Sequence, residues 1–147
     1  MPSLLDTYIE NRNRVQPNHA NTVGTAHGGN VMKWLDEVGA MSAMRFASET
    51  CVTARMDPIE FHRPIGVGDI TVIESYVYQT GKTSVRVRLT ADRENPRTGE
   101  RERTTTSHAV FVAVDEEMQP TEVPDLTVET ERGENLRAAA QESRDEY

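Results

Sequence analysis

The sequence has 147 residues, a length typical of one domain, and its 24 acidic and 16 basic side chains give a net charge of −8. A chain this acidic is repelled by the phosphates of nucleic acids and of anionic membranes, so neither is an expected partner. The single cysteine, Cys51, excludes an intrachain disulfide.

Arginine supplies all the basic residues except Lys33 and Lys82, while acidic residues are spread along the whole chain. This composition is typical of a salt-adapted, halophilic protein; a GC-rich genome, which favours arginine codons, is the alternative. The net charge favours salt adaptation. The first ten residues lack the basic and apolar regions of a signal peptide, and no stretch has the roughly 18 apolar residues of a membrane span. A cytoplasmic protein is therefore expected.

The first half of the chain predicts a strand, a loop and a helix, in that order. Residues 4–15 fit a strand that ends before Pro17, and residues 16–27 are rich in the Asn, Gly, Pro and Thr of loops. Residues 28–48 carry apolar side chains at helical spacing and form the one long helical segment. Gly39 inside it costs about 1 kcal/mol of helix preference, which suggests a packing or functional reason for glycine there.

After the helix the apolar period changes to two, which predicts strands. Turn signals separate them, notably residues 63–69 and 95–99. The predicted strands are residues 51–62, with an interruption at Asp57–Pro58, and residues 70–79, 83–92 and 102–114.

The order β–α–β–β–β–β predicts an α+β fold, an antiparallel sheet with one buried helix. Such a sheet has edges to protect, and dimerisation by sheet continuation would protect one. Residues 125–147 form an acidic C-terminal tail, in which residues 134–142 fit either a short amphipathic helix or part of a mobile, solvated segment.

Residues 17–45, PNHANTVGTAHGGNVMKWLDEVGAMSAMR, resemble the signature of the acyl-CoA thioester hydrolases of the hotdog fold. The resemblance covers most of residues 10–124 and so implies a hotdog domain over residues 1–124, in which the sheet wraps around the long helix. It also implies hydrolysis of acyl-CoA to fatty acid and CoA without a further cofactor, a homodimer with active sites at its interface, and assembly into a hexamer. Further matches are CVTARMDPIEFHRPIGVGD, GKTSVRV, ENPRTGER and HAVFVAVDEEMQP.

Asp36 and Asn21 are the catalytic candidates, because the resemblance puts the family's catalytic carboxylate and amide at these positions. Asp36 shares a helical face with Ala40, Ala43 and Ala47, whose small side chains leave room for a ligand. A carboxylate removed from water is a stronger base than a solvated one. The ordinary alternatives are a solvated helix charge for Asp36 and turn chemistry for Asn21.

His27, Gly28 and Gly29 open the predicted helix. Free N–H groups at a helix N-terminus point at whatever binds there, and glycine lets a carbonyl approach the backbone closely. An oxyanion hole at Gly28 or Gly29 is expected, although both glycines also suit a turn. His27 fits a contact to the carbonyl or a structural role in the loop, and the structural role is slightly favoured.

The resemblance also implies CoA contacts on two strand segments, where extended backbone can pair with the pantetheine amides. Arg55, Arg63 and Lys82 are candidates to bind its phosphates, although any single surface arginine is most often just a solvated charge. No spacing of histidine and cysteine predicts a metal site. The implied strand contacts are Ala54, Arg55, Met56, Thr83, Ser84 and Val85.

Two other functions remain open from the sequence. Hotdog hydratases pair a histidine with a carboxylate near the helix, and His27 with Asp36 resembles such a pair. A regulatory acyl-CoA-binding module is the second alternative, but this chain has neither a spare helix-turn-helix nor a basic surface. The later motifs favour the thioesterase.

Overall fold

The computed structural model describes residues 2–144, which form one sheet, one long helix and a C-terminal helix. Five antiparallel strands lie in the order β1-β3-β4-β5-β2, and α1 packs against all five. The predicted hotdog architecture is confirmed. The elements are β1 (Ile9–Arg14), α1 (Gly28–Ala47), β2 (Thr50–Met56), β3 (Ile70–Thr80), β4 (Ser84–Glu94), β5 (Arg101–Val114) and α2 (Glu131–Arg144).

Helix α1 lies in the concave face of the sheet and carries the core. It ends at Ser48, which takes a left-handed conformation with φ 57° and donates its N–H to Met44 O. A Cβ on Gly39 would lie 2.9 Å from Leu89 Cδ2 and 3.2 Å from the Phe111 ring. The glycine therefore has a packing reason, because it lets the helix approach β4 and β5 closely.

The first strand is shorter than predicted, because Leu5–Thr7 is a 3-10 turn and β1 begins only at Ile9. The Thr7 hydroxyl donates to Leu4 O at 2.6 Å and accepts the Val77 N–H at 2.9 Å. These two bonds fix the turn against β3, and a local pattern of apolar residues does not show them.

The second strand also ends early. Asp57 donates its N–H to His108 O at 2.9 Å, but Pro58 has no N–H to continue the ladder, so β2 stops at Met56 rather than residue 62. Residues 57–69 form a loop instead. Gly68, at φ 90°, supplies the left-handed conformation of its last turn.

The C-terminal segment packs on the outer face of the sheet. Ala140 of α2 is fully buried with Tyr76 and Tyr78, and Tyr76 donates its hydroxyl hydrogen to Leu136 O at 2.6 Å. The helix predicted over residues 134–142 lies within α2, and these contacts favour the helical alternative over the mobile one. Residues 145–147 of the predicted tail lie outside the described residues, and the domain boundary at residue 124 stays a prediction.

The start of the chain joins this outer layer. Thr127 accepts the Leu4 N–H at 2.9 Å and donates its own N–H to Pro2 O at 3.1 Å. Leu4 is fully buried in the cluster that α2 covers. Residues 2–4 and the segment before α2 are thus held together.

The two edges of the sheet differ. Strand β1 alternates charges, and Arg12 pairs with Glu10 at 3.0 Å and with Glu94 at 2.8 Å. Strand β2 instead presents the exposed run Thr53–Arg55. Charged edges resist pairing with another strand, so β2 is the edge better suited to sheet continuation. Among residues 2–144 no helix combines the length and apolar character needed to span a membrane.

Candidate active site

A cavity of about 340 Å³ lies between the first turn of α1 and the loop over residues 57–69. Ligand pockets usually measure about 300–1,000 Å³ and combine an apolar lining with a few polar groups. This cavity has both kinds of residue. Its lining is Asn21, Thr25, Ala26, Gly28, Val31, Phe61, His62, Arg63, Pro64 and Ile65.

Asn21 is half-buried, and its amide fixes the loop before α1. Its Oδ1 accepts the N–H groups of Val23 at 3.0 Å and Thr25 at 3.1 Å, and its Nδ2 donates to Thr25 Oγ1 at 2.8 Å. The structural role in a turn is confirmed by these bonds. They also hold the side chain at the cavity wall, where its catalytic role stays a prediction.

The helix start presents free backbone donors beside this cavity. Within the described part of the chain, the N–H groups of Gly28 and Gly29 donate to no acceptor. Gly28 lines the cavity, whereas Gly29 and His27 are exposed and do not. The arrangement suits an oxyanion hole formed by backbone amides.

Asp36 lies two turns further along α1, half-buried, and outside the cavity lining. Thr53 of β2 donates its hydroxyl hydrogen to Asp36 Oδ1 at 2.6 Å. The open stripe expected beyond Asp36 is wrong at its far end, because Ala43 and Ala47 belong to the buried core. Only Ala40 remains half-buried next to the carboxylate.

Thr53 is the residue that the sequence interpretation missed. It directly precedes Ala54 and Arg55, which were singled out, and its signal was available: a hydroxyl on a strand that follows the helix directly. Predicting its contact with Asp36 requires the register of β2 on α1, which periodicity does not provide. Glu37, the residue after Asp36, is exposed and pairs with Lys33 at 3.9 Å. Of these two adjacent carboxylates, Glu37 is therefore the solvated one.

The predicted CoA contacts fall into exposed and buried groups. Arg55 and Lys82 are exposed and pair with Asp57 and Glu122 at 3.1 and 3.6 Å, while Arg63 pairs with Glu102 at 3.5 Å. Exposed pairs of this kind are weak, so each cation is available to an anionic ligand.

The strand residues of the set differ in how accessible they are. Val85 is fully buried, with β3 on one side and β5 on the other. Thr83 and Ser84 are half-buried at the start of β4, whereas Ala54 and Met56 lie on the edge strand β2. Among residues 2–144 no three histidine, cysteine or carboxylate side chains are grouped to hold a metal ion.

Comparisons with a family model, with curated relatives and with solved structures all point to the same family. Residues 23–100 match the family described as the Thioesterase superfamily. The uncharacterized acyl-CoA thioester hydrolase YkhA of Bacillus subtilis is 37% identical over 126 residues, which cover 86% of this chain and 73% of YkhA. An apo-hexameric acyl-CoA thioesterase has 34% identity and a TM-score of 0.86, covering 99% of this chain and 97% of its own.

An acyl-CoA hydrolase of Staphylococcus aureus, solved with butyryl-CoA and CoA, has 27% identity and a TM-score of 0.87 over 98% of this chain and 88% of its own. It was also solved as variants in which an asparagine, an aspartate or a threonine is replaced by alanine. These three residues follow one another at the same intervals as Asn21, Asp36 and Thr53.

The family match, the identity to YkhA and the shared fold agree with the motifs around the cavity and the carboxylate. The hydratase and binding-module alternatives find no support among these relatives. The chain belongs to the thioesterase superfamily and, within it, to the acyl-CoA thioester hydrolases.

Proposed function

We propose that this chain hydrolyses acyl-CoA to a fatty acid and CoA, with Asp36 as the reacting carboxylate. The observation that carries the proposal is the 2.6 Å hydrogen bond from Thr53 to Asp36. A half-buried carboxylate held in one orientation suits a general base or a nucleophile. The matching intervals in the Staphylococcus aureus variants support the choice of these residues.

In the proposed reaction, the N–H groups of Gly28 and Gly29 hold the thioester oxygen as negative charge develops on it. Asp36 takes a proton from water, the water oxygen bonds to the carbonyl carbon, and the C–S bond breaks. The CoA thiolate then takes this proton from Asp36, which regenerates the carboxylate. Asn21 positions the reacting groups, and His27 is a lesser contact at the carbonyl.

Asn21 and Asp36 act from different subunits in this proposal. Asn21 lines the cavity and Asp36 does not, so the two proposed catalytic side chains of one subunit do not share a site. A partner strand added at the β2 edge would continue the sheet next to Asp36 and Thr53. We propose this dimer as the unit of a hexamer, a trimer of dimers, as the hexameric relative suggests.

CoA is proposed to bind along the start of β4 and the edge strand, at Thr83, Ser84, Val85, Ala54 and Met56. Since Val85 is buried, its part is limited to positioning the strand. Phosphate binding falls to the exposed cations Arg55, Arg63 and Lys82. We propose no cofactor besides the CoA of the substrate, and a cytoplasmic location.

Thiol release from a panel of acyl-CoAs tests Asp36. For Asp36→Ala we expect kcat to fall by about 10²- to 10⁴-fold, the usual contribution of a positioned acid or base. Thr53→Ala should retain more activity, because it only frees the carboxylate to rotate. The control is Glu37→Ala, which removes the adjacent, exposed carboxylate and should match wild type.

Unchanged kcat in folded Asp36→Ala protein would contradict the assignment. If Asp36 is required, a single turnover in heavy-oxygen water distinguishes its two possible roles, general base and nucleophile. Label in the protein at Asp36 after turnover indicates a covalent acyl intermediate. Label in the fatty acid alone, with no acylated protein seen by mass spectrometry during the same turnover, indicates direct attack by water.

A further inference from the structure

The cavity between α1 and the loop over residues 57–69 has an apolar floor. Val31 and Ile65 are 2% and 4% exposed, and Ala26 lines the cavity with them. The polar groups Asn21 and Arg63 line the same cavity. An apolar floor suits a methylene chain better than the pantetheine arm, whose amides need hydrogen-bond partners.

Phe61 forms one wall of this cavity and is 45% exposed. A single exposed apolar side chain is normal at a protein surface, so its position matters more than its exposure. Its Cε2 atom lies 3.4 Å from where a Cβ on Gly28 would be. The ring therefore stands against the first turn of α1, next to the free N–H groups.

Two backbone hydrogen bonds fix the loop directly after Phe61. His62 donates its N–H to Thr104 O at 3.0 Å, and Ile65 O accepts the Ala26 N–H at 2.6 Å. The first bond ties the loop to β5 and the second ties it to the segment before α1. These bonds hold the backbone next to Phe61 and so keep its side chain at the cavity wall.

We propose that Phe61 sets the acyl-chain length that this enzyme accepts. The acyl chain leaves the thioester carbonyl at Gly28 and runs between the floor at Val31 and Ile65 and the Phe61 ring, which limits the space left for further methylene groups. This inference rests on the proposed function, because it takes the carbonyl to lie at the start of α1. The cavity volume of about 340 Å³, near the lower end for ligand pockets, matches a short to medium chain.

The test is kcat/KM for straight-chain acyl-CoAs of increasing length. Phe61→Ala should move the maximum to longer chains and raise the ratio of long-chain to short-chain kcat/KM by about 10-fold or more, as expected for added methylene contacts in an apolar pocket. Phe61→Trp should move the maximum to shorter chains. Val67→Ala is the control, because Val67 is 46% exposed on the same loop but does not line the cavity.

A Phe61→Ala profile that rises or falls equally at every length would overturn the inference, since it would mean that the ring contacts the constant part of the substrate. Phe61→Leu provides the same comparison if the alanine variant does not fold. Wild type inactive on every acyl-CoA would overturn the proposed function and this inference together. An active wild type with unshifted variants would overturn the inference alone.

Discussion

Gly39 shows how two opposing effects meet at one residue. Alanine at this position in α1 would gain about 1 kcal/mol of intrinsic helix preference. It would also place a methyl group 2.9 Å from Leu89 Cδ2, against two fully buried side chains, Leu89 and Phe111, that have little space to move. Overpacking a dense core typically costs about 1–3 kcal/mol, so the packing cost outweighs the gain.

We therefore expect Gly39→Ala to lower the free energy of unfolding by about 1 kcal/mol. Urea denaturation of Gly39→Ala and Gly29→Ala provides a matched comparison within one helix, because nothing lies within 4 Å of a Cβ at Gly29. The Gly29 variant should be as stable as wild type or slightly more stable. A Gly39 variant at least as stable as wild type would mean that β4 and β5 give way at this contact.

At the candidate catalytic residues, prediction from sequence reached the residue types but not their hydrogen-bond partners. Asp36 and Asn21 were predicted from the motifs, and the structure adds that Thr53 holds Asp36 and that Thr25 holds Asn21. The prediction of an open stripe of small residues at Ala43 and Ala47 was wrong, because helical periodicity gives only the relative angles of side chains around the helix. It does not say which part of a face the sheet covers.

At the scale of elements, α2 covers a histidine on the outer face of the sheet. His108 of β5 is 2% exposed, its Nε2 lies 2.9 Å from Ser143 Oγ, and its ring meets Tyr78 edge-on. Burial lowers the pKa of His108 to about 4. The negative charge of Asp57 partly opposes this shift, and the positive charges of Arg88 and Arg144 add to it.

The lowered pKa makes stability depend on pH. Below about pH 6.5 the unfolded chain binds a proton at His108, whereas the folded chain stays neutral there until about pH 4. The contribution of neutral, buried His108 to the free energy of unfolding is therefore complete above about pH 6.5. It is lost as the pH falls toward 4, and the loss amounts to about 3 kcal/mol at most.

Urea unfolding between pH 7.5 and 4.5 checks this expectation. Wild type should lose more stability on acidification than His108→Gln, which cannot titrate. His62→Gln is the control, because His62 is exposed and should give the wild-type slope. Parallel curves for wild type and His108→Gln would show that α2 opens before the histidine takes up its proton.

The elements themselves were predicted unevenly. The long helix and the three strands after residue 69 follow from periodicity, because the apolar residues that they contribute to the core recur at helical or alternate spacing. The predicted strand start at residue 4 was wrong, since the turn at Leu5–Thr7 depends on a hydrogen bond to the distant strand β3. The predicted strand end at residue 62 was also wrong, because Pro58 at the expected interruption stops the ladder after Met56. The packing of α2 was also beyond periodicity, because its face is only weakly apolar and its partners are two tyrosines of β3.

At the scale of the whole molecule, ion pairs connect the strands of the sheet. Arg101 of β5 contacts Glu74 of β3 at 2.5 Å, Asp92 of β4 at 2.9 Å and Glu10 of β1 at 3.3 Å. These carboxylates raise the pKa of Arg101 above its ordinary value, although burial opposes the shift. One cation thus links four strands within a chain of net charge −8. Salt adaptation, which the composition indicates, stays a prediction.

The unequal sheet edges predict assembly. Light scattering coupled to size exclusion should give six times the 16.5 kDa of one chain, or twice that mass if the dimers separate. Both results agree with pairing at β2, whereas a stable monomer would contradict it. Because Asn21 and Asp36 are proposed to act across subunits, mixing Asn21→Ala with Asp36→Ala protein should restore part of the activity that each has lost.

The hydrogen bonds that join Pro2 and Leu4 to Thr127 can form only late in the synthesis of the chain. Pro2 and Thr127 are 125 residues apart, and ribosomes add about 5–20 residues per second, so the first segment waits roughly 6–25 s for its partner. Tyr76 and Tyr78 in turn lack the cover of α2 from their own synthesis until Ala140 follows about 60 residues later, roughly 3–12 s at the same rate. Nascent chains are therefore most exposed to aggregation on this outer face, and slower translation near the end of the message would lengthen that window.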